Sequence, residues 1–285
     1  MCSSSQQTSD AKRRGLAVVL AAALLVCAIV RPVRAQLFEP LPPNLPEMAT
    51  DRDAFTPATT SVVPGLSILE ASYSYIDNRE QPDVNSFPEA LLRYGLSERV
   101  ELRIGWNYEA GGGGNVVTAN ESSEGLLDGS ISYESHAMYG VKVDLTEQSG
   151  WMPRSAAILE GFTPTSGPEP ASQPVCTVVA GWELPKQWRF DYALRYAMGN
   201  ERKDAYNRWG PSAILRMHLS DEWHAHLEWF GVFSEGFFED TSRAFISPGV
   251  HYNFSPNFEV GLRMGWGVSP DAANYFVNWG FGWRY

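Results

Sequence analysis

The closing stretch of the chain reads Tyr275-Phe276-Val277-Asn278-Trp279-Gly280-Phe281-Gly282-Trp283-Arg284-Tyr285, and it alternates between two kinds of residue. Side chains of a β-strand point to opposite faces in turn. One face therefore carries five aromatic residues and Val277, while the other carries Asn278, two glycines and Arg284. A strand with lipid on one side and water on the other has this pattern. The stretch predicts the closing strand of a transmembrane β-barrel.

The other end of the chain predicts export. Basic residues at 12–14 precede an apolar run from Gly15 to Val30, and Val33-Arg34-Ala35 offers small residues at a cleavage position. This is the pattern of a signal peptide, which we expect to be residues 1–35, cleaved near Ala35. A lipoprotein site at Cys27 is the weaker alternative because the preceding Val26 is bulky. Residues 36–64 are rich in proline and lack any period, so we interpret them as an arm that lies in the periplasm or enters the barrel.

Residues 65–285 repeat the alternation of the closing stretch from strand to strand. In the segment that starts at Val100, apolar side chains oppose Glu101, Arg103 and Asn107, and the segment that starts at Phe258 is similar. Counting such segments gives about twelve strands, an even number that is typical of outer-membrane barrels. We therefore predict an all-β protein: an antiparallel, up-and-down transmembrane barrel.

The connections between the predicted strands alternate in length. Tight turns such as Leu96–Arg99, Ser220–Glu222 and Ser255–Asn257 alternate with longer segments such as Glu109–Asp128 and Gly231–Ser242. Short turns on one rim and long loops on the other are characteristic of outer-membrane barrels. The long segment after Glu109 contains the run Gly111–Gly114, which we interpret as a flexible linker because it lacks the Lys-Ser/Thr of a phosphate loop.

Charge and cysteine content exclude several classes of partner. The whole chain carries a net charge of −11. Residues 1–35 contribute +4, from five basic residues and Asp10, so the mature chain carries −15. Such a charge argues against a nucleic-acid partner. Only Cys176 remains after removal of the signal peptide, which leaves no intramolecular disulfide and no cysteine metal site. We expect no cofactor.

Charged side chains of both signs occupy the polar face of the predicted strands. We predict that they line the interior: Glu101, Arg103, Glu134, His136, Lys142, Arg189, Asp191, Arg195, Arg216, Glu228, Glu259, Arg263 and Arg284. They either border a water-filled path or pair across the interior and fill it. A barrel of about twelve strands is wider than the roughly eight-stranded size that side chains fill alone, which favours a narrow path.

Four histidines fall on the inward face near the tight turns. If Ser220–Glu222 forms a turn, His218 lies opposite His224, Arg216 lies opposite His226, and His251 is close by. Imidazoles on neighbouring strands can approach to metal-ligand distances, and histidine titrates near neutral pH. The simpler interpretation is that these are polar residues that face water at the periplasmic mouth. We predict no metal site and keep His218, His224, His226 and His251 as candidates.

Several short motifs resemble a family of outer-membrane transporters labelled as the MetA pathway of phenol degradation, the phenol meta-cleavage pathway. They are Arg93–Arg99 running into Glu101–Arg103, then Gly140–Lys142, Gly150–Pro153, Pro164–Gly167 and Pro270–Ala272. The resemblance covers roughly residues 66–285, with departures at Val143, where the family usually has an aromatic residue, and at Ser166. It implies a link to aromatic compounds and carries no catalytic residues.

These observations together predict a passive outer-membrane channel or transporter for small, aromatic or otherwise apolar solutes in a diderm bacterium. The expected partners are outer-membrane lipid, the solutes themselves, and the barrel-assembly machinery, which would engage the C-terminal strand. A plugged structural or adhesive barrel is the alternative. A lipid-modifying hydrolase built on Ser220 or Ser247 with a nearby histidine is a weaker one, because the histidines point inward.

Overall fold

The chain forms a closed barrel of twelve antiparallel strands in which each strand pairs with the next. The computed structural model describes residues 41, 45–79, 81–122, 129–201, 204–236 and 240–285, and the compact unit that contains the barrel spans Pro46–Tyr285. The strands are β1 (Ser67–Asp77), β2 (Val84–Ser97), β3 (Val100–Gly111), β4 (Ser132–Thr146), β5 (Arg154–Ser166), β6 (Gln173–Leu184), β7 (Trp188–Glu201), β8 (Asp204–His218), β9 (Trp223–Glu235), β10 (Thr241–Ser255), β11 (Phe258–Gly267) and β12 (Tyr275–Arg284). The predicted fold and strand number are confirmed.

The closing strand β12 completes the barrel by pairing with β1 over its whole length. The register runs from Ile68 opposite Arg284 to Asp77 opposite Tyr275. Closure gives the backbone groups of both edge strands a partner, which a sheet in lipid requires. A single 3₁₀ turn at Pro185–Gln187 joins β6 to β7. No helix in the described ranges has the length and apolarity needed to cross a bilayer.

The two faces of the barrel wall differ as the alternation predicts. The outward face is apolar and rich in aromatic residues, and its exposed members include Ile104, Trp106, Tyr133, Tyr139, Leu159, Leu194, Trp229, Leu262 and Trp279. The inward face is buried and carries the charged and most of the polar side chains, together with apolar ones such as Phe162 and Ile214. A lipid-facing exterior around a polar interior is the arrangement of an outer-membrane barrel, and it places the chain in the outer membrane of a diderm bacterium.

The connections lie on two rims, which we call the turn rim and the loop rim. Turn-rim connections span residues 98–99, 147–153, 185–187, 219–222 and 256–257, and loop-rim connections span 78–83, 112–131, 167–172, 202–203, 236–240 and 268–274. The connection predicted at Gly231–Ser242 is shorter than expected, because β9 continues to Glu235 and β10 begins at Thr241. Hydrogen bonding between strand backbones does not require apolar side chains. These strands therefore continue beyond the segments whose alternating apolar residues face the membrane.

Candidate functional site

Residues 46–64 belong to the continuously described part of the predicted arm, and they lie inside the barrel. From here on we use the word arm for these residues. At the turn rim, Nη1 of Arg284 donates a hydrogen bond to the Pro46 carbonyl at 2.7 Å. The arm then reaches inward until the ring of Phe55 stacks on that of Phe230, with centroids 4.8 Å apart. It returns to the turn rim, where Pro64 bridges to Gly95. Residues 46–64 of the predicted arm thus enter the lumen, whereas the predicted signal peptide (residues 1–35) and residues 36–40 and 42–44 of the predicted arm lie outside the described residues.

The inward-facing carboxylates of the wall accept hydrogen bonds from the arm backbone. The arm has no regular secondary structure between 46 and 63, so its buried N–H groups need partners other than a neighbouring strand or helix turn. The pairs are Asp51 and Arg52 N–H with Glu70 (2.7 and 2.8 Å), Phe55 and Thr56 N–H with Glu228 (3.1 and 2.6 Å), and Val62 N–H with Glu101 (2.9 Å).

The inward-facing cations of the wall complement this pattern by donating to arm carbonyls. The pairs are Arg93 Nη1 with Ala49 (2.6 Å), Lys142 Nζ with Thr60 (2.8 Å) and Arg216 Nη2 with Thr56 (3.0 Å). Mixed charge on the wall therefore matches both the donors and the acceptors of an irregular backbone. Much of the wall charge contacts the arm, and some of it pairs within the wall, as Arg263 does with Glu228, so an open path and a filled interior both stay predictions.

Asp51 is the charged centre of the arm. Its Oδ2 lies 2.7 Å from Nη1 of Arg103, 3.7 Å from Nε of Arg93 and 3.8 Å from Nζ of Lys142, and its side chain is fully buried. Burial alone would raise the pKa of the Asp51 carboxyl, but the three cations outweigh it and hold the pKa well below its usual value. Asp51 is therefore a carboxylate at neutral pH, and it joins the arm to β2, β3 and β4.

A second insert enters from the loop rim. Residues 112–122 of the β3–β4 connection fold into the lumen, and Gly113 and Gly114 adopt positive φ of 72° and 85° where the chain turns inward. Glu121 pairs with Arg195 at 2.7 Å and with Arg208 at 2.5 Å. The glycine run, interpreted from sequence as a flexible linker, is buried. It gives the loop the backbone geometry it needs to enter the barrel.

The arm and the inserted loop meet beside a cluster of aromatic side chains in the lumen. Phe230, Phe245 and Phe276 project inward from β9, β10 and β12, and Phe55 of the arm stacks on Phe230 with an interplanar angle of 9°. Phe230 and Phe245 are themselves stacked, with centroids 5.0 Å apart. We define these four rings as the lumen aromatic cluster. This cluster was not predicted from the sequence, although strand parity puts Phe276 on the same face as Asn278.

All thirteen side chains predicted to line the interior do face it. Eleven of them are buried, and Arg189 and Arg216 are half-buried. Glu259 accepts a hydrogen bond from the Thr50 hydroxyl at 2.5 Å, and Arg263 pairs with Glu228 at 2.9 Å. Whether they border a conducting path stays a prediction, because the arm and the inserted loop fill the space around them here.

The candidate histidines lie together at the turn rim. His218 is opposite His224 and Arg216 is opposite His226, as predicted from the turn. His226 Nδ1 lies 2.9 Å from His251 Nε2, so His251 also joins the group. His136 lies apart from them and contacts Glu169 at 2.7 Å.

The serines considered for a hydrolase have other partners. Ser220 donates to the Glu222 carboxylate at 3.1 Å within its turn, and Ser247 donates to the Met264 carbonyl at 3.1 Å. A nucleophilic serine needs a hydrogen bond to a base, and neither hydroxyl makes that contact with a histidine among the described residues.

A large cavity opens between the arm and the wall at the turn rim. Its volume is about 440 Å³, and the arm, β8, β9 and the 3₁₀ turn contribute to its lining. Cavities deeper in the barrel are small, with about 10 Å³ beside Phe55 and Arg195 and about 10 Å³ around Val117 and Glu121. The interior is therefore open on the turn-rim side and tightly filled around Phe55, where the arm reaches furthest inward.

Comparison with protein families gives a match to the family described as "Putative MetA-pathway of phenol degradation" over residues 50–285. The resemblance noted from the motifs is thereby confirmed. Comparison with curated proteins gives no match.

Two solved structures illustrate the similarity in fold. The COG4313 outer membrane channel from Pseudomonas putida F1 is 10% identical with a TM-score of 0.56, and the match covers 80% of this chain and 98% of that one. The translocator domain of the autotransporter NalP from Neisseria meningitidis is 11% identical with a TM-score of 0.50, covering 79% of this chain and 90% of that one. At such identities the likeness establishes the barrel fold.

Proposed function

Because this chain belongs to the family described as "Putative MetA-pathway of phenol degradation", we propose that it is an outer-membrane channel through which small aromatic or apolar solutes cross passively. In the state described here the arm closes it. The observation that carries the proposal is the Phe55 ring, which lies on Phe230 inside a barrel whose wall also buries many charged side chains.

The lumen aromatic cluster offers a planar solute the same contact that Phe55 makes. Stacked aromatic rings attract each other by about 0.5–1.5 kcal/mol beyond their buried area, so an aromatic solute competes with Phe55 for Phe230. Arg263 adds to the attraction, since its guanidinium lies 5.0 Å from the Phe276 ring centroid. The arm is held by hydrogen bonds and ion pairs rather than by sheet pairing, so it can leave while the barrel stays closed.

Passive passage needs neither a catalytic residue nor a cofactor. The outer membrane channel from Pseudomonas putida F1 has the same fold, which supports a conducting role. We accordingly propose that the chain is not an enzyme and that its small-molecule partners are solutes in transit.

A permanently plugged structural barrel is the second candidate. It is supported by the tight packing around Phe55 and Glu121, where the cavities have volumes of about 10 Å³ each. In that case the ion pairs around Asp51 and Glu121 would stabilise the barrel rather than a closed state of a channel.

Liposome swelling with the folded, heat-modifiable protein distinguishes the two. We expect swelling with salts of small aromatic carboxylic acids to be faster than with aliphatic acids of similar size. Phe230→Leu should reduce this preference by up to about tenfold, because about 1.4 kcal/mol corresponds to a factor of ten and one stacked pair contributes at most that much.

The matched control is Phe254→Leu, because Phe254 lies on the outward face and is 65% exposed. It should keep the wild-type preference. If the folded wild-type protein causes no swelling with any of these solutes, the plugged barrel is favoured. An unchanged preference in Phe230→Leu would instead remove the aromatic cluster from the path.

A further inference from the structure

The structure assigns a divalent transition-metal site to His226 of β9, His251 of β10 and Asp53 of the arm. One ligand atom from each residue lies within 4.8 Å of the other two. His226 Nδ1 is 2.9 Å from His251 Nε2, and His251 Nε2 is 3.3 Å from Asp53 Oδ2. Ligand atoms at about 2.0 Å from a tetrahedral Zn²⁺ are about 3.3 Å apart, so these two distances are already close to the required spacing.

Two further polar atoms of these side chains, distinct from the atoms at 2.9 and 3.3 Å, are buried and have no hydrogen-bond partner within the part of the chain that the structure describes. They are Nε2 of His226 and Oδ1 of Asp53, and His226 is 2% exposed. Buried polar groups are normally hydrogen-bonded, and an unpaired one calls for an explanation such as an ion. Two imidazole nitrogens that face each other at 2.9 Å also need a proton or a cation between them.

Glycines on the neighbouring strands make room for both imidazoles. Gly249 lies opposite His226, and a Cβ at Gly249 would lie 2.3 Å from Cε1 of His226. Gly261 lies opposite His251, and a Cβ there would lie 2.9 Å from its Nδ1. Any larger residue at Gly249 would push the ring of His226 away. The two rings thus occupy the space that a side chain would fill at Gly249 and Gly261, and their nitrogens converge.

The donor set selects the class of metal. Two imidazoles and one carboxylate suit Zn²⁺ and similar first-row ions, whereas Mg²⁺ and Ca²⁺ prefer oxygen ligands. The 440 Å³ cavity at the turn rim is lined by all three residues, so an ion can enter from that side and a water can occupy the fourth position. Four carboxyl and two guanidinium groups line this cavity, and the excess of carboxyl groups attracts a cation.

A metal at this site would connect the arm to two wall strands. Asp53 belongs to the arm, whereas His226 and His251 belong to the barrel wall. Neither the arm nor the wall alone therefore supplies all three ligands. The assignment does not depend on whether the barrel conducts, because it concerns binding to the arm-docked structure.

Zinc binding to the folded mature protein in detergent tests the site. With ZnCl₂ titrated against a chromophoric chelator, we expect one saturable site per barrel, with no competition from excess Mg²⁺. His226→Gln, His251→Gln and Asp53→Asn should each weaken binding by more than the about 10- to 100-fold that loss of an outer-shell partner costs. His136→Gln is the matched control, since His136 is also a buried histidine of the lumen but contacts Glu169, and it should bind Zn²⁺ normally.

The heat-modifiable shift of each variant confirms that its barrel is folded, and Co²⁺ substitution provides a second readout through the visible bands of a four-coordinate site. Absence of a saturable zinc site in the folded wild-type protein would overturn the assignment, leaving a hydrogen-bonded His–His–Asp chain. Full binding by Asp53→Asn would overturn it as well, because the arm would then not contribute a ligand.

Discussion

Asp51→Asn is expected to release the arm while leaving the barrel folded. The substitution keeps the size of the side chain and the acceptor that binds the Ala58 N–H at 2.8 Å, but it removes the negative charge between Arg93, Arg103 and Lys142. Breaking a buried ion pair by removing one partner costs about 3–5 kcal/mol. The wall cations regain water when the arm leaves, so this cost falls on the docked state of the arm.

Tryptic cleavage after Arg52 measures arm release. Arg52 is 3% exposed in the docked arm, so cleavage requires undocking. A change of about 3–5 kcal/mol raises the undocked population more than 100-fold, since each 1.4 kcal/mol is a factor of about ten. Cleavage of Asp51→Asn should accelerate accordingly, after normalisation to peptides 46–64 carrying the same residue at position 51.

The control for this experiment is Asp83→Asn at the loop rim, where the Asp83 carboxylate accepts a hydrogen bond from Tyr75 at 2.7 Å. This substitution removes an aspartate charge of the same kind without touching the arm, and cleavage should stay at the wild-type rate. If Asp51→Asn is as resistant as the wild type while its barrel remains heat-modifiable, the Asp51 charge does not hold the arm in place.

The barrel itself could be predicted because its determinants are local in sequence. Alternation with period two identifies the lipid-facing and the lumen-facing residues of each strand together. The turn Ser220–Glu222 is short enough to fix the register between β8 and β9. The predicted opposition of His218 and His224 is confirmed for that reason. The register between β9 and β10 could not be predicted across residues 231–242, because both strands extend further than their apolar residues indicate.

The filled lumen could not be predicted because its contacts join segments that are far apart in sequence. Asp51 meets Arg103 across 52 residues, and the Phe55 N–H meets Glu228 across 173. An irregular arm has no period, so nothing in its own residues specifies where it lies. The signal that was present is indirect: a lumen wall with buried charges of both signs needs partners, and an irregular backbone supplies donors and acceptors together.

Leu262→Arg is expected to destabilise the barrel by about 2–4 kcal/mol in lipid, because an arginine on the lipid-facing side near the bilayer midplane has that cost. Leu262 lies in the middle of β11, is 48% exposed, and is paired with Val250 on one side and Trp279 on the other. Reversible unfolding in urea, followed by tryptophan fluorescence in lipid vesicles, measures the difference in the free energy of unfolding.

The same exchange at the turn rim separates the cost of membrane depth from the cost of the substitution. Leu219 follows β8 directly and is 60% exposed, and near the membrane interface an arginine costs only about 0–1 kcal/mol. Leu219→Arg should therefore unfold close to the wild-type urea concentration. Equal losses at the two positions would mean that Leu262 does not face the hydrocarbon core, and the assignment of the outward face would then be wrong for β11.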